Sequence, residues 1–402
     1  MRSNILSSAL AVSLENLGDG EEINPVTTET VIELDEVLEE AREAGDEAEG
    51  QDQAVDTLTD AADSLESLVV ALESAVANGG LSPQSADIHS RAVANIVRRL
   101  PVDKDSYTLS VESFGGTGDK LVASQEALDG AKELLLKLWN GIKTAVLNAW
   151  KAVVNFVTTL GKSGDALVRA GKQLVAEAGQ TKGNAAGKKV DGTAVAKQLH
   201  VSGAMKGTVG GALKVVVANG QKIVTAAKVA SAGLKELAGS IASGHFDQKE
   251  DRTKFVEKMM GAFPGDAMPG GKSITVSDGG FPKMVTNAQL KETSVEMAVP
   301  EIGEIKMIGQ SVQQVGQFIL DYNNKTFKDL QKEINAFISK QDSLVKAAGF
   351  EKEETASVRA GLKEFKDFSS VARAVGPEYL SYAASAAKAA FGFGKKALAQ
   401  YK

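Results

Sequence analysis

The sequence predicts a mainly α protein, in which long amphipathic helices form a helical bundle beside a small β element and an acidic, partly disordered N-terminal arm. Apolar residues recur three and four positions apart over long stretches, which is the period of a helix with one buried face. Half of the 8 Pro residues fall in residues 261–310, where Gly is also frequent. Hydrophobic residues make up 43% of the chain and charged residues 24%, as in folded globular proteins.

The length of 402 residues favours two or three structural units. Changes in composition divide the chain into four segments. These are an acidic N-terminal arm or propeptide (1–112), a basic, Gly-interrupted helical region (113–260), a small β insertion (261–310) and a C-terminal helical region (311–402).

The net charge of -7 conceals two parts of opposite sign. Residues 1–112 hold 24 Asp and Glu against 6 Lys and Arg, whereas residues 113–402 hold 28 against 39. Such asymmetry indicates an acidic tail attached to a body that tolerates or seeks polyanions.

Within the arm, residues 15–75 carry 20 acidic residues and one basic residue, Arg42. Self-repulsion is expected to keep much of this segment extended. The stretches Thr28 to Ala44 and Val55 to Ala77 nevertheless show the apolar spacing of amphipathic helices, which are able to fold against another surface. The arm is therefore either a solubilising tail or a propeptide that engages a scaffold.

The body opens with a long amphipathic helix. Apolar residues three and four apart run from Leu128 to Leu160, and Gly161 is the expected end of this helix. Trp139 and Trp150 fall on nearly the same side, where packing is favoured over a membrane-interface or base-stacking role. The many Gly residues between 161 and 280 predict loosely packed or interrupted helices, because Gly costs about 1 kcal/mol in a helix interior relative to Ala.

Lysine greatly outnumbers arginine in residues 162–245. Lys contacts phosphate as a point charge, so this surface is either a backbone-only, salt-sensitive DNA contact or an ordinary solvated helix surface. The candidates for polyanion contact are Lys162, Arg169, Lys172, Lys182, Lys188, Lys189, Lys197 and Lys206.

Helix-breaking Gly and Pro residues and the spacing of apolar residues predict the remaining elements. Ile274-Thr275-Val276 and the alternating Val295, Met297 and Val299 predict a small β element near residues 272–308. The helical pattern returns at Ser311, continues in a second run over residues 356–375 and ends in an Ala-rich helix opened by Gly376-Pro377. Aromatic residues indicate that this last helix docks onto the body: Tyr379, Tyr382, Phe391, Phe393 and Tyr401.

No residue pattern nominates a catalytic, cofactor or metal site. Five residues instead of four separate Gly265 from the Gly-Lys-Ser that ends at Ser273, which is the wrong spacing for a phosphate-binding loop. His89, His200 and His245 lack metal-ligand or triad spacing and are expected to be surface or structural residues. The absence of Cys excludes disulfides and thiolate chemistry. Because no catalytic residue can be nominated, we expect neither an enzyme nor a cofactor; the enzymatic alternative is a site assembled from scattered acids.

The acidic arm ends in a small-residue loop, Leu109-Ser110-Val111-Glu112-Ser113-Phe114-Gly115-Gly116, directly before the long helix. With this junction, the chain resembles the internal head (inner capsid or prohead core) proteins of large tailed bacteriophages, the myoviruses. The other features that carry the resemblance are Ser13-Leu14-Glu15 after a short apolar start, the acidic Ala/Glu-rich segment, and the helix with Leu138-Trp139 and Ala149-Trp150. Together they cover roughly residues 1–160.

The resemblance implies cleavage by a prohead protease after Glu in a motif with a small or apolar residue two positions earlier. The cleavage-site candidates are Ser110, Val111, Glu112 and Ser113, and Ser-x-Glu also occurs at Ser13-Glu15, Ser64-Glu66, Ser124-Glu126 and Ser294-Glu296. The implied function is a structural protein of the capsid interior, with capsid or scaffold proteins and non-specific DNA contact as partners and no small-molecule substrate. The alternative is a membrane-active or ejected effector delivered with the DNA.

Overall fold

The structure, a computed structural model, describes residues 28–98, 120–242, 248–264, 267–276, 282–347 and 376–401. Its helices are α1 (Thr28–Ala77), α2 (Pro83–Arg98), α3 (Lys120–Gln180), α4 (Thr193–Leu199), α5 (Val209–Ala242), α6 (Gln248–Ala262), α7 (Ile302–Asp321), α8 (Lys328–Ala347) and α9 (Gly376–Leu398). Its strands are β1 (Lys189–Asp191), β2 (Lys272–Val276), β3 (Pro282–Thr286) and β4 (Glu296–Ala298). The predicted mainly α class is confirmed.

The long helix predicted after the junction is α3, which spans 61 residues and continues well beyond Gly161. Gly161 does not end it, because the position is buried and a Cβ there would collide with the side chain of Asn323. Gly164 and Gly171 likewise lie against the backbone of α7. The expectation of loosely packed helices is wrong in this part of the chain, since these Gly residues permit close backbone approach.

The acidic residues 28–77 form one continuous helix, α1, which runs antiparallel along α3. Gly45 lies beside the ring of Phe156, and Leu58 lies beside Gly141. Like-charge repulsion does not keep this segment extended, because its small and apolar residues face α3 while most of its acids project into solvent. Buried residues of α1 and of the body belong to one hydrophobic cluster.

The predicted β element consists of two small antiparallel sheets. In the first, β2 pairs with β3, and Ile274 lies opposite Met284. In the second, β4 pairs with β1, and Met297 lies opposite Val190. Sequence periodicity found β2 and β4, but a strand of three residues such as β1 is too short to show alternation.

The C-terminal half is helical, as predicted, although α7 begins at Ile302 and not at Ser311. A π-helical segment, Tyr322–Phe327, joins α7 to α8. The predicted helical run over residues 356–375 lies outside the described residues. The last helix, α9, is docked in the core, where the Tyr379 hydroxyl donates to the Val216 carbonyl over 2.5 Å.

Trp150 is a packing anchor, as expected. Its side chain is buried, its ring centroid lies 5.7 Å from that of Phe327, and its indole N–H donates to Asn335 Oδ1 over 3.2 Å. The side chain of Trp139 is not among those that the structure describes.

Candidate functional site

The most highly charged surface of the described chain is the outer face of α1. This helix contains 16 Asp and Glu residues and one Arg. Its exposed acids are Asp35, Glu36, Glu39, Glu40, Glu43, Asp46, Glu47, Glu49, Asp56, Asp60 and Asp63. A helix of this charge repels DNA and attracts basic protein surfaces.

Ion pairs connect α1 to the body. Glu73 lies 3.1 Å from Lys132 and Glu40 lies 3.5 Å from Lys162, both on α3, and Asp35 pairs with Lys388 on α9. All six side chains are partly exposed, so each pair contributes at most about 1 kcal/mol. Their importance is that acids of α1 neutralise Lys residues of the body.

A cleft of about 570 Å³ separates α1 from α4 and α9. On the side formed by α4 and α9, Lys396 pairs with Asp191, with 3.0 Å between Nζ and Oδ2. The Thr193 backbone N–H, the Thr193 hydroxyl and Lys396 hold the pKa of the Asp191 carboxyl well below its usual range. Asp191 and Lys396 therefore neutralise each other, and Asp191 is held ionised in a turn just before Gly192, the N-cap of α4.

The eight candidates for polyanion contact are all exposed, but they are spread over α3, the loop after it, β1, α4 and the loop after α4. Lys162 pairs with Glu40, Lys188 donates to the Gln400 carbonyl over 2.6 Å, and Lys189 lies 3.4 Å from Glu296. Within the described residues, four candidates make neither an ion pair nor a side-chain hydrogen bond: Lys172, Lys182, Lys197 and Lys206.

The two histidines that the structure describes, His89 and His200, have no arrangement suited to chemistry. His200 is buried, its Nδ1 accepts a hydrogen bond from the Gly203 N–H over 3.2 Å, and burial lowers its pKa, as befits a structural residue. His89 is half-buried in α2, and His245 lies outside the described residues. Among the residues that the structure describes, no group of His, Asp and Glu is arranged to hold a metal ion.

Two further observations concern function directly. None of the described helices is both long and apolar enough to cross a membrane. A family model of the phiKZ-like phage internal head proteins matches residues 29–396. The chain belongs to this family. No curated protein and no solved structure matches the chain significantly.

As an internal head protein, the chain is a structural component of the phage virion and is located inside the head. The family is one of structural proteins, which argues against an enzymatic role. The match begins in α1 and ends in α9, so it includes the acidic helix as well as the basic body. The cleavage-site candidates Ser110, Val111, Glu112 and Ser113 lie outside the described residues.

Sequence reasoning missed the residues by which α1 of this internal head protein holds the body. Asp35, Glu40 and Glu73 pair with body lysines, and only one of those, Lys162, was a candidate. A signal was available in the seven-residue spacing of apolar and small residues along α1, which is typical of a helix packed along another helix. Leu34, Ala41, Ala48, Val55, Ala62 and Val69 follow it and are all buried.

Proposed function

We propose that this internal head protein is made as a precursor, that the chain is cut after Glu112, and that loss of the acidic segment leaves a basic body near packaged DNA. The observation that carries the proposal is the pairing of α1 acids with body lysines, Glu73 with Lys132 and Glu40 with Lys162. While α1 is in place, these lysines are neutralised and the nearby field is negative.

The fold supports cleavage after Glu112, because it makes other Ser-x-Glu tripeptides less accessible to a protease. A protease needs an exposed segment that it can bind in extended form. Leu65, between Ser64 and Glu66, is fully buried in the middle of α1.

The other two tripeptides within the described residues are held by hydrogen bonds, although Ser294 and Glu296 are exposed. Ser124 is buried in α3, where its hydroxyl donates to the Lys120 carbonyl and accepts from the Leu81 N–H. Val295 donates its N–H to the Thr193 hydroxyl over 2.9 Å, and Glu296 belongs to β4. The tripeptides that end at Glu15 and Glu112 lie outside the described residues.

Removal of residues 1–112 changes the net charge of the protein from -7 to +11. Lys132 and Lys162 then lose their partners, and they join the exposed lysines of the body that make no ion pair. We expect the resulting DNA contact to be sequence-independent and weakened by salt, because lysines bind phosphate by displacing counterions. Capsid or scaffold proteins are the expected partners of the acidic face before the cut.

The test is the intact mass of this protein from mature particles. A chain that begins at Ser113 supports the proposal, and a chain that begins at Met1 overturns it. Glu112→Gln should block the cut if the protease requires Glu. The matched control is Glu126→Gln, an exposed residue of another Ser-x-Glu tripeptide, which should be processed like the wild type.

A second measurement addresses the charge switch. We expect the trimmed body to bind double-stranded DNA at low salt, with an affinity that falls steeply as salt rises, and the full chain to bind far more weakly. Equal binding by the two forms would show that the acidic segment does not mask the body.

The alternative function, a membrane-active or ejected effector, depended on Trp-bearing helices able to lie on a bilayer. Trp150 is buried in the fold and is not available for a lipid surface unless the bundle opens. Flotation of the trimmed body with liposomes distinguishes the two functions, since the head-interior function predicts no association with neutral vesicles.

A further inference from the structure

The contact between α1 and α3 has the anatomy of an antiparallel coiled coil. Two series of buried residues run along α1 with a spacing of seven. The first is Leu34, Ala41, Ala48, Val55, Ala62 and Val69, and the second, interrupted at the partly exposed Gln51, contains Ala44, Leu58, Leu65 and Leu72. This spacing keeps one stripe of the helix facing its partner over its full length.

The facing surface of α3 has the matching pattern. One stripe of its buried residues alternates in steps of three and four from Ser124 to Phe156. They are Ser124, Leu128, Ala131, Leu135, Leu138, Ile142, Ala145, Ala149, Ala152 and Phe156. We call the packed contact between this stripe and the stripe of α1 the seam.

The two stripes also match in size. The bulky Phe156 of α3 lies opposite Gly45, whose Cβ position is 3.4 Å from the ring. Farther along the seam the large residue is on α1 and the small one on α3, because Leu58 lies opposite Gly141. Large residues therefore fill the space left by small ones along the contact, as in a well-packed core.

Charge contributes little to holding α1 on α3. The ion pairs of Glu73 with Lys132 and of Glu40 with Lys162 lie at the edge of the seam, with their side chains partly exposed. Exposed ion pairs are weak and are screened by salt, whereas apolar burial is not. The far end of the contact is closed by the hydrogen bond of 2.8 Å from the Leu81 N–H to the Ser124 hydroxyl.

We propose that the apolar stripe of α3 is a helix-binding groove that retains α1 after the chain is cut between α2 and α3. Cleavage then produces a two-chain complex in which the acidic helix still covers Lys132 and Lys162. The inference adds a step to the proposed function, since the body becomes basic only when α1 leaves. It also means that the Ser64-Leu65-Glu66 tripeptide stays protected until α1 leaves, because Leu65 lies in the seam.

The experiment uses the full chain, in which a recognition sequence for a site-specific protease is inserted at one position within residues 103–109. After folding and cutting, size-exclusion chromatography is run at low salt and at about 1 M NaCl, where the screening length is only about 3 Å. We expect the two fragments to elute together in equal amounts at both salt concentrations. Separate elution at either concentration would overturn the proposal, as would a dimeric body free of the acidic fragment.

Matched variants test whether the seam is responsible. Leu65→Asp places a charge in the groove and should release the acidic fragment after cutting, whereas Asp60→Asn, on the exposed face, should leave it bound. Retention of the Leu65→Asp fragment would overturn the role of the groove. The inserted site is cut by an added protease and not by the phage enzyme, so this experiment does not depend on cleavage after Glu112. If the fragments separate, the mass of the protein from particles still tests that cleavage independently.

Discussion

Gly171 of α3 and Gly309 of α7 lie backbone to backbone. A Cβ added to Gly171 would lie 2.5 Å from the Gly309 carbonyl oxygen, and one added to Gly309 would lie 2.9 Å from the Gly171 carbonyl oxygen. Gly164 and Gly316, seven residues away along each helix, repeat the arrangement. A Cβ added to Gly164 would lie 2.9 Å from the Gly316 carbonyl oxygen, and one added to Gly316 would lie 2.6 Å from the Gly164 carbonyl oxygen. The two helices approach so closely because neither has a side chain at these crossing points.

Gly171→Ala should destabilise the protein by about 1–3 kcal/mol, because the new methyl group collides with backbone that has no freedom to move aside. Gly141→Ala on the same helix is the matched control, since its Cβ would meet only Leu58, at 3.9 Å. There the gain in helix propensity should stabilise by up to about 1 kcal/mol. Chemical denaturation of both variants measures the difference, and equal effects would contradict close packing of α3 on α7.

The seam of α1 should be a major source of stability. Leu65→Ala should cost about 2–5 kcal/mol, because Leu65 is fully buried and its truncation leaves a cavity. Val70→Ala, on the same helix, should change the free energy of unfolding by no more than about 0.5 kcal/mol, since Val70 is 56% exposed. If the two variants unfolded alike, α1 would not be part of the core.

Stability should decrease on mild acidification because of His200. Burial lowers the pKa of this imidazole below the ordinary 6.5, so the folded state binds fewer protons than the unfolded state between the two values. The stabilisation is complete above about pH 6.5 and is lost as the pH falls through the folded pKa. His200→Asn keeps an acceptor for the Gly203 N–H without titrating, so its free energy of unfolding should fall less between about pH 7 and pH 5.

Tyr382 should anchor α9 through its hydroxyl, which donates to the Pro269 carbonyl at 2.7 Å and lies 3.2 Å from the Gln198 carbonyl. Tyr382→Phe should cost about 1–3 kcal/mol, because buried carbonyl groups lose their partner. Tyr401→Phe removes a hydroxyl that bonds the Pro300 carbonyl at a less buried position, and its effect should be smaller. Thermal unfolding of the two variants provides the comparison.

The helices could be predicted from the sequence because their burial is periodic, and the docking of α9 followed from its aromatic residues. The continuation of α3 beyond Gly161 could not, since the same Gly is a helix end when exposed and a packing contact when another backbone lies against it. The pairing of Lys396 with Asp191 joins residues far apart in the chain, and only the fold brings them together.

The charge asymmetry was likewise visible in the sequence, but its consequence was not. Counting charges indicated that residues 15–75 would repel one another, although the apolar spacing of Thr28 to Ala44 and of Val55 to Ala77 already predicted amphipathic helices. The buried series from Leu34 to Val69 shows that one continuous apolar stripe joins the two. Whether such a stripe folds depends on a partner helix, and the partner, α3, follows only after α2 and residues 99–119.

The position of α9 determines when the protein can finish folding. This helix contacts α1, α3, α4, α5 and α7, and its alanines, Ala383, Ala384, Ala386, Ala387 and Ala390, are completely enclosed by them. A ribosome needs roughly 10 to 40 s to travel from the end of α3 to Leu398. During that interval the earlier helices have no partner for the surface that α9 covers. Nascent chains are therefore most exposed to aggregation late in synthesis, which is when chaperone binding would matter most.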